Sequence, residues 1–374
     1  MSRSVTFYDR KVPKKVVERL SSLEDGIIPE DSVEKFEKRS LDMVGGVHAL
    51  ATCNSTAALH LAMCALDLKR GDKVLCSVNS YADLPEVVRH FDAEPIFVDC
   101  ESTSYNMNPA ELEKSVSKNR SKKLRAVIVN HIAGRKADMS AICEIAQANG
   151  LVVIEDRTDL TAPSDIVDRD DEPGGAMKIY GFGSKRIDSF DAGLLVFDSD
   201  DYYERAHLLR NHGIPADSSG VDYIYDIYDI GCQYRLDGYG AIYASVLLDS
   251  LRESLTRRLE LAKIYRNELD GLSHLSLPSK GDIHIYSEFM VEIDKNRDAF
   301  ARSLKGSGIE VGVSYMPLHL SRYYKEKYGL KIFDFPSALG VYQRVMSLPL
   351  HDGMDESDIR FVCEAVKSAD LSHI

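Results

Sequence analysis

Between residues 73 and 156 the chain carries four short apolar runs with no polar alternation. They are Lys73-Val-Leu-Cys-Ser77, Pro95-Ile-Phe-Val-Asp99, Ala126-Val-Ile-Val-Asn130 and Leu151-Val-Val-Ile-Glu-Asp156. A strand with one wet face alternates apolar and polar residues, whereas an unbroken run is covered on both faces. Helical spacing fills the gaps. Ala58, Leu59, Ala62, Met63 and Leu66 recur over 55–68, a short helix is predicted over 85–91, and another over 138–148 ends at Asn149-Gly150, a C-cap signal. Strands that alternate with helices and are buried on both faces predict an α/β fold around a mainly parallel sheet.

After Asp237 the pattern changes. Residues 237–269 are helical almost throughout. Strands over 284–291 and 310–314 then mix with helices over 297–305, 337–345 and 356–366, which reads as a smaller α+β unit. A length of 374 residues accommodates two domains. The boundary is expected near residue 240, giving 1–240 as the large domain and 241–374 as the C-terminal small one. The polar stretch 165–175 reads as an exposed loop.

The formal net charge of −13 argues against a general nucleic-acid binder, which needs a surplus of Lys and Arg. The seven cysteines are odd in number, widely spaced and without a CxxC. That speaks against a metal centre and for thiols in a reducing compartment. No apolar run reaches the ~18 residues of a membrane span, and the first twenty residues hold no signal-type apolar segment. A cytoplasmic location without membrane attachment is expected.

Ligands in open α/β sheets bind beyond the carboxyl ends of the strands, so the residues after each run are the candidates. Asn54-Ser55-Thr56 precedes the helix over 55–68, and small hydroxyl residues at a helix N-terminus suit either an ordinary cap or a phosphate. Asp156 ends the last run, where a carboxylate either caps the loop or enters the cleft. Lys185 lies in the Gly-rich stretch Ile179-Tyr-Gly-Phe-Gly-Ser-Lys-Arg-Ile187; a desolvated lysine there can form a Schiff base. Tyr81, in the loop after the first run, either packs or stacks on a flat ring. A phosphate cradle, an acid for a ring nitrogen, a Schiff-base lysine and a stacking aromatic together describe a pyridoxal 5'-phosphate site.

The order of these residues and of further stretches resembles the DegT/DnrJ/EryC1/StrS sugar aminotransferase family of fold-type I pyridoxal-phosphate enzymes. The similar stretches include Asn54-Ser-Thr-Ala-Ala-Leu-His-Leu-Ala62, Gly134 with Ala137-Asp-Met139, Val153-Ile-Glu-Asp156, Ser184-Lys185, Leu209-Arg-Asn-His-Gly-Ile214, Tyr234-Arg-Leu236, Pro317-Leu-His-Leu320 and Ser347-Leu-Pro-Leu-His351. The resemblance implies a large domain with a mixed, mainly parallel sheet and helices on its flanks, plus a smaller α+β domain. It implies that Lys185 carries the cofactor and moves the proton, that Asp156 partners the pyridinium nitrogen, and that Tyr81 stacks. It places Asn54, Ser55, Thr56, Asp159, Tyr180 and Gln233 at cofactor-binding positions, and Arg210, Arg235 and His319 toward the substrate. The implied reaction moves an amino group from glutamate to a keto group of a nucleotide-linked sugar, in a homodimer whose subunits share each site.

The chain departs from the family pattern at several of these positions. Asn54-Ser55-Thr56 replaces Ser-Gly-Thr, Arg157-Thr158 replaces Ala-Ala, Asp159 replaces Gln, Tyr180 replaces Ser and Gln233 replaces Asn. A cyclitol or non-sugar ketone as acceptor, an elimination outcome, or a non-catalytic partner role therefore stand as alternatives. In so acidic a chain, positive potential for the phosphorylated ligands is expected at Lys185, Arg186, Arg210, Arg235 and the helix N-terminus at Ser55.

Overall fold

The computed structural model describes residues 3–9, 11–168, 172–183, 190–215, 225–278 and 283–369. The first part of the chain runs α1 (Lys14–Ser21), α2 (Ser32–Val44), β1 (His48–Thr52), α3 (Ser55–Ala65), β2 (Lys73–Ser77), α4 (Asp83–Arg89), β3 (Glu94–Val98) and α5 (Pro109–Asn119). It continues through β4 (Leu124–Asn130), α6 (Met139–Ala148), β5 (Val152–Asp156), α7 (Ser164–Val167), β6 (Met177–Phe182), β7 (Ala192–Phe197) and α8 (Asp200–Leu209). Seven strands form one sheet in the order β1-β7-β6-β5-β4-β2-β3. The pairs from β3 to β6 are parallel, and β7 runs antiparallel to both β6 and β1.

The apolar runs are buried on both faces, as their lack of alternation requires. On one face Cys76, Ile128, Ile154, Ile179 and Leu195 pack under α3, α4 and α8. On the other, Leu75, Val127, Val129 and Val153 meet α5 and α6, while Ala51, Tyr180, Leu194 and Val196 meet α2 and the later helix at 238–249. Successive side chains of a strand point to opposite faces. Asp156 therefore projects to the α3/α4 face, and its neighbours Glu155 and Arg157 project to the other.

The second part runs α9 (Gly238–Asp249), α10 (Leu251–Leu269), β8 (Leu275–Ser276), β9 (Phe289–Ile293), α11 (Arg297–Gly306), α12 (Arg322–Tyr328), α13 (Pro336–Arg344), β10 (Val345–Leu348) and α14 (Glu356–Ser368). A three-stranded antiparallel sheet, β10-β9-β8, packs with α10, α11 and α14 around Tyr265, Phe289, Phe300 and Val362.

Several sequence expectations change here. The helical stretch 237–269 is two helices broken at Ser250. α9 packs on α2 and α1 with the large sheet, and α10 packs on α14 beyond Leu251, which still joins the large sheet's core, so the change of packing partner lies along the first turns of α10. The N-terminal segment also crosses it, because Val5 bridges to Ile309 and joins the small core. The strand expected from residue 284 begins only at Phe289, since Tyr286 takes a left-handed φ of 49° that interrupts the extended run. Over 310–314 a single bridge, Gly312 to Ser347, replaces the expected strand. The stretch 165–175 is not simply an exposed loop: it opens with α7, buries Val167 and supplies ion-pair partners to the interior. No helix among the described residues is long and apolar enough to cross a membrane.

Candidate active site

Parallel strands deliver their carboxyl ends to one edge of the sheet, and most of the candidates gather there. β1 ends at Thr52 and turns directly into α3. Asn54 caps that helix, its side-chain oxygen accepting the Ala57 N–H at 2.7 Å. The N–H groups of Ser55 and Thr56 precede the first intrahelical bond, from Ala58 N–H to the Asn54 carbonyl. They leave an anion-accepting helix end. Gly193 lets β7 pass beneath this turn, because a Cβ there would lie 2.3 Å from the Asn54 carbonyl oxygen.

Tyr81 follows β2 in a loop held by buried Asn79 and Ser80. Asn79 donates to the Tyr105 carbonyl and accepts at its own carbonyl from Asn130. The Tyr81 ring itself is 62% exposed, with Tyr315 as an aromatic neighbour 5.8 Å away. An exposed ring on a pinned loop is suited to covering a flat ligand.

Asp156 is buried at the end of β5, its carboxylate accepting the Thr158 N–H at 3.1 Å. Burial, and then the charge of Asp83, push its carboxyl up to about 7, against that hydrogen bond. Asp159 is also buried and lines a cavity of about 1030 Å³ together with Thr158, Thr161, Arg252 and His351. This cavity lies between the large sheet's edge and the start of α10.

Arg157, one of the departures from the family pattern, is a buried structural cation. Its Nε meets Glu155 at 2.7 Å, and its two terminal nitrogens meet the Asp168 carboxylate at 2.8 and 2.9 Å. Tyr180, another departure, places its hydroxyl 3.4 Å from the same guanidinium. The two substitutions are thus one coupled change on the sheet face opposite Asp156. Burial works against the Glu155 charge, yet the Arg157 cation and the hydrogen bond from His131 hold its carboxyl well below the usual range. His131 accepts the Ala137 N–H at Nδ1, so its proton sits on Nε2 and points to Glu155.

Three expected site residues are placed elsewhere. Tyr180 is fully buried on the far face of the sheet, so it is not at hand for a cofactor. Arg210 is 8% exposed, its guanidinium held by the Glu37 carboxylate and the Ala51 carbonyl; it braces α8 against α2 instead of reaching a substrate. His319 is fully buried, its Nε2 at 3.2 Å from the Ile332 carbonyl oxygen and its ring against Phe335, within the second part of the chain. Gln233 and Arg235 are exposed on a segment that bridges to Asn211 and Thr52, beside the α3 turn. Lys185 and Arg186 lie outside the described residues.

Two polar residues at the site escaped the sequence reading. Asp83 opens α4 and accepts the Thr56 hydroxyl at 3.2 Å. Asn130 ends β4 in register with Asp156 and is 5% exposed. Asn130 carried the same signal as Asp156, a polar residue closing an apolar run.

Residues 14–367 match the DegT/DnrJ/EryC1/StrS aminotransferase family. An uncharacterized protein of Methanocaldococcus jannaschii, MJ1066, is 32% identical over 349 residues, covering 89% of this chain and 88% of that one. The spore coat polysaccharide biosynthesis protein SpsC of Bacillus subtilis is 28% identical over 368 residues, covering 95% and 94%. Among solved structures, DesV of S. venezuelae superposes with a TM-score of 0.81 at 26% identity, covering 94% of this chain and 92% of that one. The chain belongs to the DegT/DnrJ/EryC1/StrS aminotransferase family and has the fold of a fold-type I pyridoxal-phosphate transaminase. The capped helix end, the exposed ring and the buried carboxylate at the strand edge fit the cofactor of that class, pyridoxal 5'-phosphate.

Two outcomes follow from this geometry. Arg157→Ala strands the Glu155 charge in the interior and is expected to cost about 3–5 kcal/mol in urea unfolding. The double variant Arg157→Met/Glu155→Gln should recover part of that loss. For Asp156, a folded value near 7 lies above the unfolded value near 4, so the folded state binds more protons between them. Stability from this group is present at low pH and is lost as pH rises toward neutrality. Cofactor-free Asp156→Asn should therefore melt higher than the parent at pH 8 and match it near pH 4, as read by circular dichroism.

Proposed function

We propose that this aminotransferase moves an amino group from an amino-acid donor such as glutamate to a keto group of a nucleotide-linked sugar. The observation that carries the reading is the gathering of Asp156, the capped N-terminus of α3 and the Tyr81 ring at one sheet edge; Thr158 and Asp159, which follow Asp156, line a cavity of about 1030 Å³. A cavity of that volume admits a ligand larger than an amino acid. The resemblance to SpsC, named for polysaccharide biosynthesis, supports a sugar acceptor.

In this reading the N–H groups at Ser55 and Thr56 hold the phosphate and Tyr81 covers the ring. Asp156 holds the proton of the ring nitrogen, and its buried setting excludes water from that contact. Lys185 would hold the cofactor at its aldehyde carbon and would carry the proton between the substrate carbon and the cofactor carbon. Bound pyridoxal phosphate supplies the electron sink that makes the Cα proton removable. Asp159 lines the cavity that this reading assigns to the substrate.

A second copy of the chain completes the site. Tyr225, Ile227, Tyr228 and Ile230 are 59%, 61%, 71% and 92% exposed on the segment that leads to Gln233 and Arg235. An apolar strip of this kind favours burial in an interface. The partner copy covers it, and Gln233 and Arg235 reach across.

The test is direct. Purified protein with pyridoxal phosphate should show a visible absorbance band that glutamate bleaches, and Lys185→Ala should abolish both the band and its bleaching. A colourless protein that ignores added cofactor overturns the reading. Incubation with nucleotide-linked keto sugars, free keto sugars and keto cyclitols, followed by mass spectrometry, identifies the acceptor. In sedimentation, the double variant Tyr228→Asp/Ile230→Asp should run as a monomer where the parent runs as a dimer.

A further inference from the structure

The Asp83 carboxyl group lies where a phosphorylated ligand has to settle. One of its oxygens accepts the hydroxyl of Thr56, the residue that with Ser55 forms the anion-accepting turn. Its other oxygen, Oδ1, is buried and finds no hydrogen-bond partner among the described residues. A buried carboxylate oxygen without a donor is costly, whereas a neutral acid needs only weaker solvation and has a proton to give. The position is thus built more easily for the acid than for its anion.

A second observation points the same way. Asn130 donates its amide to the Asn79 carbonyl at 3.1 Å, which fixes the orientation of its side chain. Its Oδ1 is then an acceptor, buried and without a donor among the described residues. Asn130 is in register with Asp156 on the adjacent strand, so the two side chains leave the sheet on the same face. A buried acceptor beside carboxyl groups calls for a proton resident among them.

We infer that Asp83 is a proton-holding residue of the active site, and that the site takes its phosphorylated cofactor only when Asp83 is neutral. The inference rests on the reading that the α3 turn holds the cofactor phosphate. An ionised Asp83 would set a negative charge against the phosphate and compete with it for the Thr56 hydroxyl. A neutral Asp83 removes the repulsion and offers the phosphate or Asp156 a hydrogen bond. Above the titration range of Asp83, each cofactor bound brings one proton onto this carboxyl group.

The groups that face Asp83 come from every side. Thr56 belongs to α3, Asp156 to β5, Asp191 to the start of β7, Glu86 to α4 itself, and Tyr315 to the segment before α12. Among the described residues all of the titratable ones are acidic; Lys185 and Arg186 lie outside them. Burial, and then the charge of Glu86, push the Asp83 carboxyl up to about 6, with the Thr56 hydrogen bond opposing. Tyr81 and Tyr315 add aromatic cover.

Equilibrium titration of the holoprotein stripped of cofactor, with pyridoxal 5'-phosphate as the probe and intrinsic fluorescence as the readout, tests this. Affinity of the parent, relative to Asp83→Asn, should fall roughly tenfold for each pH unit above about 6. The ionisation of the free cofactor is common to both proteins and cancels in the ratio; because the Asp83 charge also raises Asp156, the same ratio is taken in an Asp156→Asn background, where that mutual effect is removed. Asp83→Ser serves as the second variant should the amide fold poorly, with circular dichroism as the check. Binding by the variants with the parent's own pH slope overturns the inference and leaves the proposed function standing. No saturable binding to the parent at any pH overturns the proposed function, and this inference with it.

Discussion

A single buried carboxylate, Glu155, holds the active-site edge of the sheet together. It takes the His131 ring from the end of β4, the Arg157 guanidinium from its own strand, and the Gly175 N–H from the approach to β6. Arg157 extends the network to Tyr180 on β6 and to Asp168 beyond α7, and Lys136 joins Asp168 from the other side. Three neighbouring strands are thereby fastened at the height of Asp156. Charges buried this deeply persist only when every one is partnered. Asp156 inherits its position from this arrangement without taking part in it, because it leaves the strand on the opposite face.

The parallel core was legible because unbroken apolar runs have one physical meaning. The β2 range, Lys73–Ser77, coincides with its run, and β4 and β5 end on the polar residues that close theirs. Candidates that depend only on their place at a strand end, such as Asp156 and the Asn54–Thr56 turn, came to the expected edge. Residues whose role depends on a distant partner did not. Arg210 reads as a cation awaiting a phosphate until Glu37, far away in sequence, is seen to neutralise it. His319 is placed toward the substrate by the resemblance until the Ile332 carbonyl and Phe335 are seen to close over it. Tyr180 and Arg157 each read as a separate loss of a cofactor contact, and only their mutual contact shows one compensated substitution. Asp83 was passed over because Pro85 suggested a later helix start.

The acidity of the chain looks different after the site has been described. Net charge −13 with a phosphate-binding role suggested a local concentration of cations. Among the described residues the strand edge is instead acidic, with Asp83, Asp156, Asp159 and Asp191 near one another. Among the described residues, the feature at this edge suited to an anion is the backbone dipole at the α3 N-terminus; Lys185 and Arg186, two of the cations expected there, lie outside them. Arg157, the most buried cation nearby, has its charge committed to Glu155 and Asp168.

The pairing of Val5 with Ile309 has a mechanical consequence. The polypeptide passes between the two cores twice, once between Val5 and α1 and again along the first turns of α10. The large cavity is lined by residues from both crossings, Asp9 and Lys11 to Lys15 at one and Ser250 to Ser254 with Thr256 to Arg258 at the other. The walls of the cavity are therefore drawn from the same two crossings that join the cores, so a change at either crossing alters the cavity as well as the link.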